Sequence, residues 1–379
     1  MFIPYSLLQF PGTSFSTGQP RSVKKIGKID STNIFISKNY YTWGASVVEG
    51  EDGKYHMFYS RWPHGKRLEK DDSLNYIFDG FAGWNKYSEI AYAVSDNITG
   101  PYRHVKTILK GTGDPSRWDR FTFHNPYIRK FEGYYYLYFI SNSFDSSLTG
   151  DKPLSPSRLQ WFKYNCTQKI GVLKAKTIEE LIDRSPTSAT GAFIMEPDNK
   201  QTFEVTNNPC VTEGPDGKYY MMYKSRKPVF GHMTFWMAIA AKPEGPFKTV
   251  SSVLTSPETA SEDPSIWYDK KRKRFYAVAK YFSNTLKLAP QFGSIILITS
   301  KNGIDWQPAK HTLATLKEIK FQNGSKVDLA NLERPFVVAD RKGQPIALFA
   351  AAAIQNPFKG NPLRVDNEHN TFNVHIPLK

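Results

Sequence analysis

One short pattern is written five times along this chain, and few folds can accommodate it. Each copy has an apolar opening run, a turn of Asp-Gly, Gly or basic residues, and a return run rich in aromatic and β-branched side chains. The first copy is Trp43-Gly44-Ala45-Ser46-Val47-Val48, then Asp52-Gly53-Lys54, then Tyr55 to Ser60. The second is His124-Asn125-Pro126-Tyr127-Ile128, Glu132-Gly133, and Tyr134 to Ser141. The third is Asn207-Asn208-Pro209-Cys210-Val211, Asp216-Gly217-Lys218, and Tyr219 to Ser225. The fourth, Glu262-Asp263-Pro264-Ser265-Ile266, turns through lysines and arginines into Phe275-Tyr276-Ala277-Val278. The fifth is Glu333-Arg334-Pro335-Phe336-Val337, Lys342-Gly343, and Ile346 to Ala350. Such runs predict β-hairpins. Proline restricts its own φ and disfavours the helical region for the residue before it, so Asp263-Pro264 and its sisters are expected to start their strands extended.

A third apolar run follows the hairpins: Ile90 to Val94, Ile170 to Leu173, Met237 to Ala240 and Ile295 to Ile298. With a fourth, outer strand after each, the chain reads as an all-β, five-bladed β-propeller of four-stranded antiparallel blades, repeating every roughly 55 to 85 residues. A β-sandwich is the alternative, but sandwiches do not demand the same proline offset in successive hairpins.

A propeller absorbs all 379 residues as one domain, 1–379. Residues 1–39 are expected to close the ring by lending a strand to the last blade, removing an open sheet edge. Residues 353–379 form a tail packing against the first blade, with a strand at 370–376. Long insertions at 64–87 and 145–168 are expected at one rim, and 177–184 as a short helical turn. The excess of 15 positive charges favours an anionic partner. However, the longest basic block, Lys270 to Arg274, sits in a hairpin turn, so nucleic acid is not expected. Cys166 and Cys210 leave both a disulfide and two buried free thiols open, and no zinc-type spacing occurs. No apolar run has the length of a membrane span. Localisation stays open between the cytoplasm and, with a removed signal, the periplasm or exterior.

In a propeller the innermost strands line a central channel, so equivalent positions on different blades converge. Those positions are Trp43 and Gly44, His124 and Asn125, Asn207 and Asn208, Glu262 and Asp263, and Glu333 and Arg334. The return strands end at the same rim with Ser60-Arg61, Ser141-Asn142, Lys224-Ser225-Arg226 and Lys280-Tyr281. Cleaving a glycosidic bond asks for two carboxyl groups flanking it. Crowding Glu262, Asp263 and Glu333 is expected to raise the pKa of at least one. Each residue also has a plainer role: Asp263 capping backbone amides, Glu333 and Arg334 pairing to pin the last blade, His124 hydrogen-bonding, Trp43 packing.

The recurring Asp/Asn-Pro-x-Ile followed by Asp-Gly-Lys-Tyr-Tyr resembles the five-bladed propeller glycoside hydrolases of families 43, 32, 62 and 117. His124-Asn125-Pro126, Ile170-Gly171-Val172 and Leu332-Glu333-Arg334-Pro335 carry the similarity to family 43-like and 117-like proteins, over about residues 40 to 352. Family 43 enzymes place Asp, Asp and Glu at the openings of the first three blades. Here those places hold Trp43-Gly44, Asn125 and Asn208, so that machinery is not carried over and the acids stand in blades four and five. Family 117 enzymes, with a histidine as acid, direct attention to His124. The resemblance is also compatible with an axial calcium ion, although no dedicated ligand loop occurs; no other cofactor is expected.

These observations predict an exo-acting glycoside hydrolase on an oligosaccharide, acidic or sulfated. Asp263 is the expected base or nucleophile, Glu333 or His124 the proton donor, and Glu262 the residue that tunes them. Arg61, Lys224, Arg226 and Lys280 are expected to bind the anionic group, with Trp43, Asn125, Asn208 and Arg334 completing the sugar site. The alternatives are a phosphate-dependent glycoside phosphorylase and a glycan-binding propeller without catalysis. Sugar identity, stereochemical outcome and oligomeric state leave no signature in the sequence.

Overall fold

The structure, a computed structural model, describes residues 26–63, 84–143, 158–227, 231–340, 342–354 and 371–378. After a short strand β1 (Ile34–Ile36), the first blade is β2 (Tyr40–Glu49), β3 (Tyr55–Pro63), β4 (Glu89–Ser95) and β5 (Arg103–Leu109). A single turn of helix, α1 (Trp84–Tyr87), precedes β4. The second blade is β6 (Phe123–Phe131), β7 (Tyr134–Asn142) and β8 (Gln168–Ala175), with α2 (Arg158–Thr167) before β8 and α3 (Ile178–Ile182) after it. The third is β9 (Phe203–Glu213), β10 (Tyr219–Arg226), β11 (Met233–Ala240) and β12 (Lys248–Val253). The fourth is β13 (Ser261–Asp269), β14 (Arg274–Tyr281), β15 (Ile295–Ser300) and β16 (Trp306–Thr315). A small hairpin, β17 (Glu318–Lys320) and β18 (Lys326–Asp328), leads to the fifth blade: β19 (Asn331–Ala339), β20 (Pro345–Ala353) and β21 (Thr371–Pro377).

The fold is therefore an all-β five-bladed propeller, each blade an antiparallel meander. Its second blade departs from the four-stranded expectation: outside β8 a single bridge, Ile170 to Met195, stands where a fourth strand would run. The fifth blade draws on both ends of the described chain, with β1 antiparallel to β21 through Ile34↔Val374 and Ile36↔Phe372. The strand expected in the tail is thus hydrogen-bonded into the fifth blade, between β20 and β1. It touches the first blade through Asn373 Nδ2 donating to Trp43 O (2.8 Å). Most of the leader (1–25) and of both insertions (64–83 and 144–157) lies outside the described residues.

Turn chemistry follows the hairpin rule. Glu132 and Gly133 both have positive φ (50° and 79°), as a tight hairpin with the right twist requires. The fourth blade manages without glycine by placing Lys273 at φ 49°. The residues before the prolines depart from expectation. Asn125, Asn208, Asp263 and Arg334 have φ of 51°, 53°, 61° and 51°. All five inner strands break register at the same place, between Thr42 and Ala45, His124 and Tyr127, Asn207 and Cys210, Glu262 and Ser265, and Glu333 and Phe336. Each is a bulge that turns one extra side chain out of the ladder; in blades two to five a left-handed residue before the proline accomplishes the turn, whereas neither Trp43 nor Gly44 has positive φ. Asn and Asp tolerate that region, whereas for arginine it costs on the order of 1–3 kcal/mol.

Between blades, apolar faces meet: Tyr127 of β6 stacks edge-on against Phe336 of β19 (5.2 Å between ring centres), and both are buried. Equivalent serines fasten neighbouring blades. Ser46 Oγ accepts from Ile128 N (3.0 Å), and Ser265 Oγ accepts from Val337 N (3.2 Å). Both cysteines are free, Cys210 buried in β9 and Cys166 exposed on α2, so no bridge joins them.

Candidate functional site

The bulges aim their side chains at one cavity of about 500 Å³. Its wall contains Trp43, His124, Asn125, Asn207, Asn208, Glu262, Asp263, Glu333 and Arg334, the opening pairs of the five inner strands except for Gly44. Gly44 is absent from the wall because Arg334 fills its place. A Cβ added at Gly44 would lie 3.0 Å from Arg334 Cγ and 3.2 Å from its Nε. Lys224, Arg226 and Lys280 join the wall from the return strands. Arg61 does not. Its Nε donates to Glu89 Oε1 (2.7 Å), its Nη2 donates to Thr107 (2.8 Å), and its guanidinium lies over Tyr40, all within the first blade.

Side chains from four consecutive blades form a hydrogen-bonded arc. Asn125 Nδ2 donates to Asn208 Oδ1 (2.7 Å) and Asn208 Nδ2 to Asp263 Oδ1 (2.6 Å). Arg334 donates to Asp263 from its backbone N (3.2 Å, to Oδ2) and its Nη1 (3.5 Å, to Oδ1). The same bonds hold Arg334 in its left-handed conformation. Beside the arc, Glu262 receives Lys224 Nζ (3.0 Å) and Lys280 Nζ (2.7 Å). Lys280 Nζ also donates to Glu333 Oε1 (2.5 Å), which takes a further bond from Asn331 Nδ2 (2.9 Å).

One oxygen from each of Glu262, Asp263 and Glu333 lies within 4.8 Å of the other two. Crowding of this kind predicts a raised carboxyl, yet Glu262 is shifted the other way. Burial would raise it, but the Lys224 and Lys280 ammoniums outweigh burial and hold it well below the usual carboxylate range. Burial would lower Lys280, but Glu262 and Glu333, with Asp263 nearby, raise it. The fit for an axial calcium fails on the same observation, because the Lys280 ammonium already bridges two of the three carboxylates.

His124 is buried and stacked on Trp84 (4.7 Å between ring centres). Burial, then the nearby Arg334 and Lys224 charges, push its pKa well below 6.5, so the ring is neutral. Ser88 Oγ lies 3.0 Å from Phe123 O and 2.7 Å from His124 Nδ1, and its one proton can serve either acceptor, so the contact fixes the position of the ring and not its tautomer. A neutral imidazole is the form that takes up a proton, whereas a histidine acid starts from the imidazolium.

Several wall residues have no counterpart in the sequence expectations: Trp62, Trp84, Asn165, Gln168, Asn331, Met233, Phe282 and Phe292. Asn331 carried a signal, since it stands two residues before Glu333 and strand alternation puts both on one face. Asn165 and Gln168 come from the end of the long insertion, where no repeat position announces them.

No family model matches the chain, and no curated protein matches it. Solved structures do. A family 117 glycoside hydrolase produced by the marine bacterium Zobellia galactanivorans superposes with a TM-score of 0.58 at 16% identity, covering 94% of this chain and 89% of that one. An α-L-arabinofuranosidase from Lactobacillus brevis gives 0.54 at 13% identity, covering 92% of each chain. An endo-arabinase from Bacteroides thetaiotaomicron gives 0.51 at 12%, covering 93% of this chain and 97% of that one. At such identities the likeness is one of fold: the chain shares the propeller architecture of these proteins over nearly its whole described length.

Proposed function

We propose that the central cavity belongs to an exo-acting glycoside hydrolase that takes one end of an oligosaccharide. The observation that carries this reading is the pairing of Asp263 and Glu333, from separate blades, with oxygens within 4.8 Å in the wall of a single cavity. The likeness in fold to three carbohydrate-cleaving proteins supports it. The spacing is shorter than the roughly 6.5–9.5 Å that leaves room for a water between carboxyl groups, which favours retention of configuration. In that scheme Glu333 gives its proton to the glycosidic oxygen as the bond to the anomeric carbon breaks. Asp263 forms a bond to that carbon. Water then displaces Asp263 and returns a proton to Glu333. Glu262, flanked by two lysines, acts as a fixed charge that positions Lys280 between the acids.

Asp263→Asn and Glu333→Gln are each expected to lower hydrolysis of a cleaved oligosaccharide by about 10²–10⁴-fold. The anomer first released, read by NMR, is expected to match the substrate. Full activity in either variant removes that residue from the scheme.

A second reading, binding without cleavage, is favoured by one observation: Glu262, Asp263 and Glu333 are all paired with cations, a satisfied network that turnover does not require. Tight glycan binding with no product after prolonged incubation would select it.

A further inference from the structure

We infer that Phe282 and Phe292 form an aromatic lip at the mouth of the cavity that holds the second sugar of the oligosaccharide, the one that departs when the glycosidic bond breaks. This deepens the proposal above and rests on the cavity being a sugar site.

Strand alternation places the lip beside the acids. Phe282 stands one residue past the end of β14 and two past Lys280, so both side chains project on the same side. The Lys280 ammonium lies 5.0 Å from the centre of the Phe282 ring and also meets Glu333 Oε1 (2.5 Å). Lys280 is buried, whereas Phe282 keeps 39% of its surface exposed, so the ring stands outward of the proposed proton donor. A sugar whose oxygen Glu333 protonates therefore leaves toward Phe282. Phe292, three residues before β15, meets Phe282 at 5.1 Å between ring centres with the planes tilted by 48°. Both rings belong to the cavity wall.

The two rings are held in place without being packed away. Phe282 N donates to Ala260 O, Tyr281 N to Ser294 O and Gly293 N to Tyr281 O, each at 2.8 Å, so the backbone under both rings is tied on two sides. Neither ring belongs to the hydrophobic clusters that fill the blades. The other large rings of the wall are committed to packing. Trp43 and Trp62 are buried in one cluster with Tyr41, and Trp84 stacks on His124 and meets Tyr164 edge-on (5.4 Å). An apolar surface left at the rim of a polar cavity marks a place where a ligand is bound. A sugar ring suits it, because its C–H face packs on an aromatic ring while its hydroxyls stay in water. Rings already fixed lose little freedom when the ligand arrives.

An array of neutral, uronate-bearing and sulfated oligosaccharides, probed with the full chain, supplies the sugar for the test. Calorimetry then compares the methyl glycoside of its terminal residue with the sulfur-linked disaccharide, whose thioglycoside bond resists cleavage. The disaccharide is expected to bind about tenfold or more tighter than the methyl glycoside. Phe282→Ala is expected to abolish that gain and Phe282→Trp to keep it. The Kd of the methyl glycoside is expected to stay unchanged in both, which also shows that the variants fold. Equal affinity for the two probes, or a gain that survives Phe282→Ala, would overturn the inference and leave the hydrolase reading standing. So would a dimer in sedimentation that Phe282→Ala dissociates, since a second copy would then cover the lip. Failure of every sugar to bind would overturn both.

Discussion

The half of the cavity that blades four and five contribute is held by charge, whereas the half from blades two and three is held by amides. In the first, Lys280 touches two glutamates at once and Arg334 meets Asp263. In the second, Asn125, Asn207 and Gln168 pass single hydrogen bonds from neighbour to neighbour. Charges satisfy one another from many directions, so each carboxylate of that half finds a cation, although Asn331 Oδ1 and Arg334 Nε beside them have no partner among the described residues. Amides have a donor end and an acceptor end, so theirs keeps an unsatisfied terminus.

The contrast has measurable consequences. Lys280→Met leaves Glu262 and Glu333 buried without their shared cation, and is expected to cost about 3–5 kcal/mol in denaturant unfolding. Should it cost no more than Asn208→Leu, expected at about 1–3 kcal/mol, the charged half is not the stiffer one. Gly44→Ala tests the joint between the halves. Its methyl would press on Arg334, with an expected loss of about 1–3 kcal/mol that Arg334→Ala should relieve.

Acid separates the halves by pH. His124 is held neutral in the fold, while an unfolded chain takes up its proton below about pH 6.5; stability therefore falls as pH drops below that point. Glu262 is held ionised, so its contribution is present above about pH 4.5 and is lost as pH falls further. Each group adds a slope of up to about 1.4 kcal/mol per pH unit. The buried His375, pushed down to about 3 by burial, adds to the upper window, so the comparison must be with His124→Gln rather than with wild type alone. The variant is expected to flatten the profile between pH 6.5 and 5 and leave the fall below pH 4.5 intact. An unchanged profile removes His124 from the acid response. The smallest expected effect is Lys106→Ala, which breaks an exposed pair with Asp183 and should shift stability by under about 1 kcal/mol. A larger loss there would mean that surface charge weighs as much as buried charge.

Much of the architecture was legible because the repeat carries it. Five hairpins with matching offsets predict five blades, and the convergence of Asp263 with Glu333 follows from counting equivalent positions around a ring. The short helix at 177–184 was equally readable, with Thr177 capping it through a 3.2 Å bond from Glu180 N. Arg61 and Arg226 show where this reasoning stops. Both end a return strand, yet one is engaged by Glu89 inside its own blade and the other reaches the cavity and Glu204. Their partners lie 28 and 22 residues away in sequence, on strands whose register no local pattern specifies. The bulges hid for a related reason: proline suggests an extended neighbour, and only the ladder on either side forces that neighbour into a left-handed turn.

Alternating apolar residues and turn signals were enough to say that this chain makes sister hairpins and to name the side chains that open them. Which of those side chains pair, which way each amide faces, and whether a crowded acid gains or loses its proton waited on closure of the ring. Those outcomes depend on distances of a few ångströms between strands far apart in sequence, and such distances exist only once all five blades stand around a common axis.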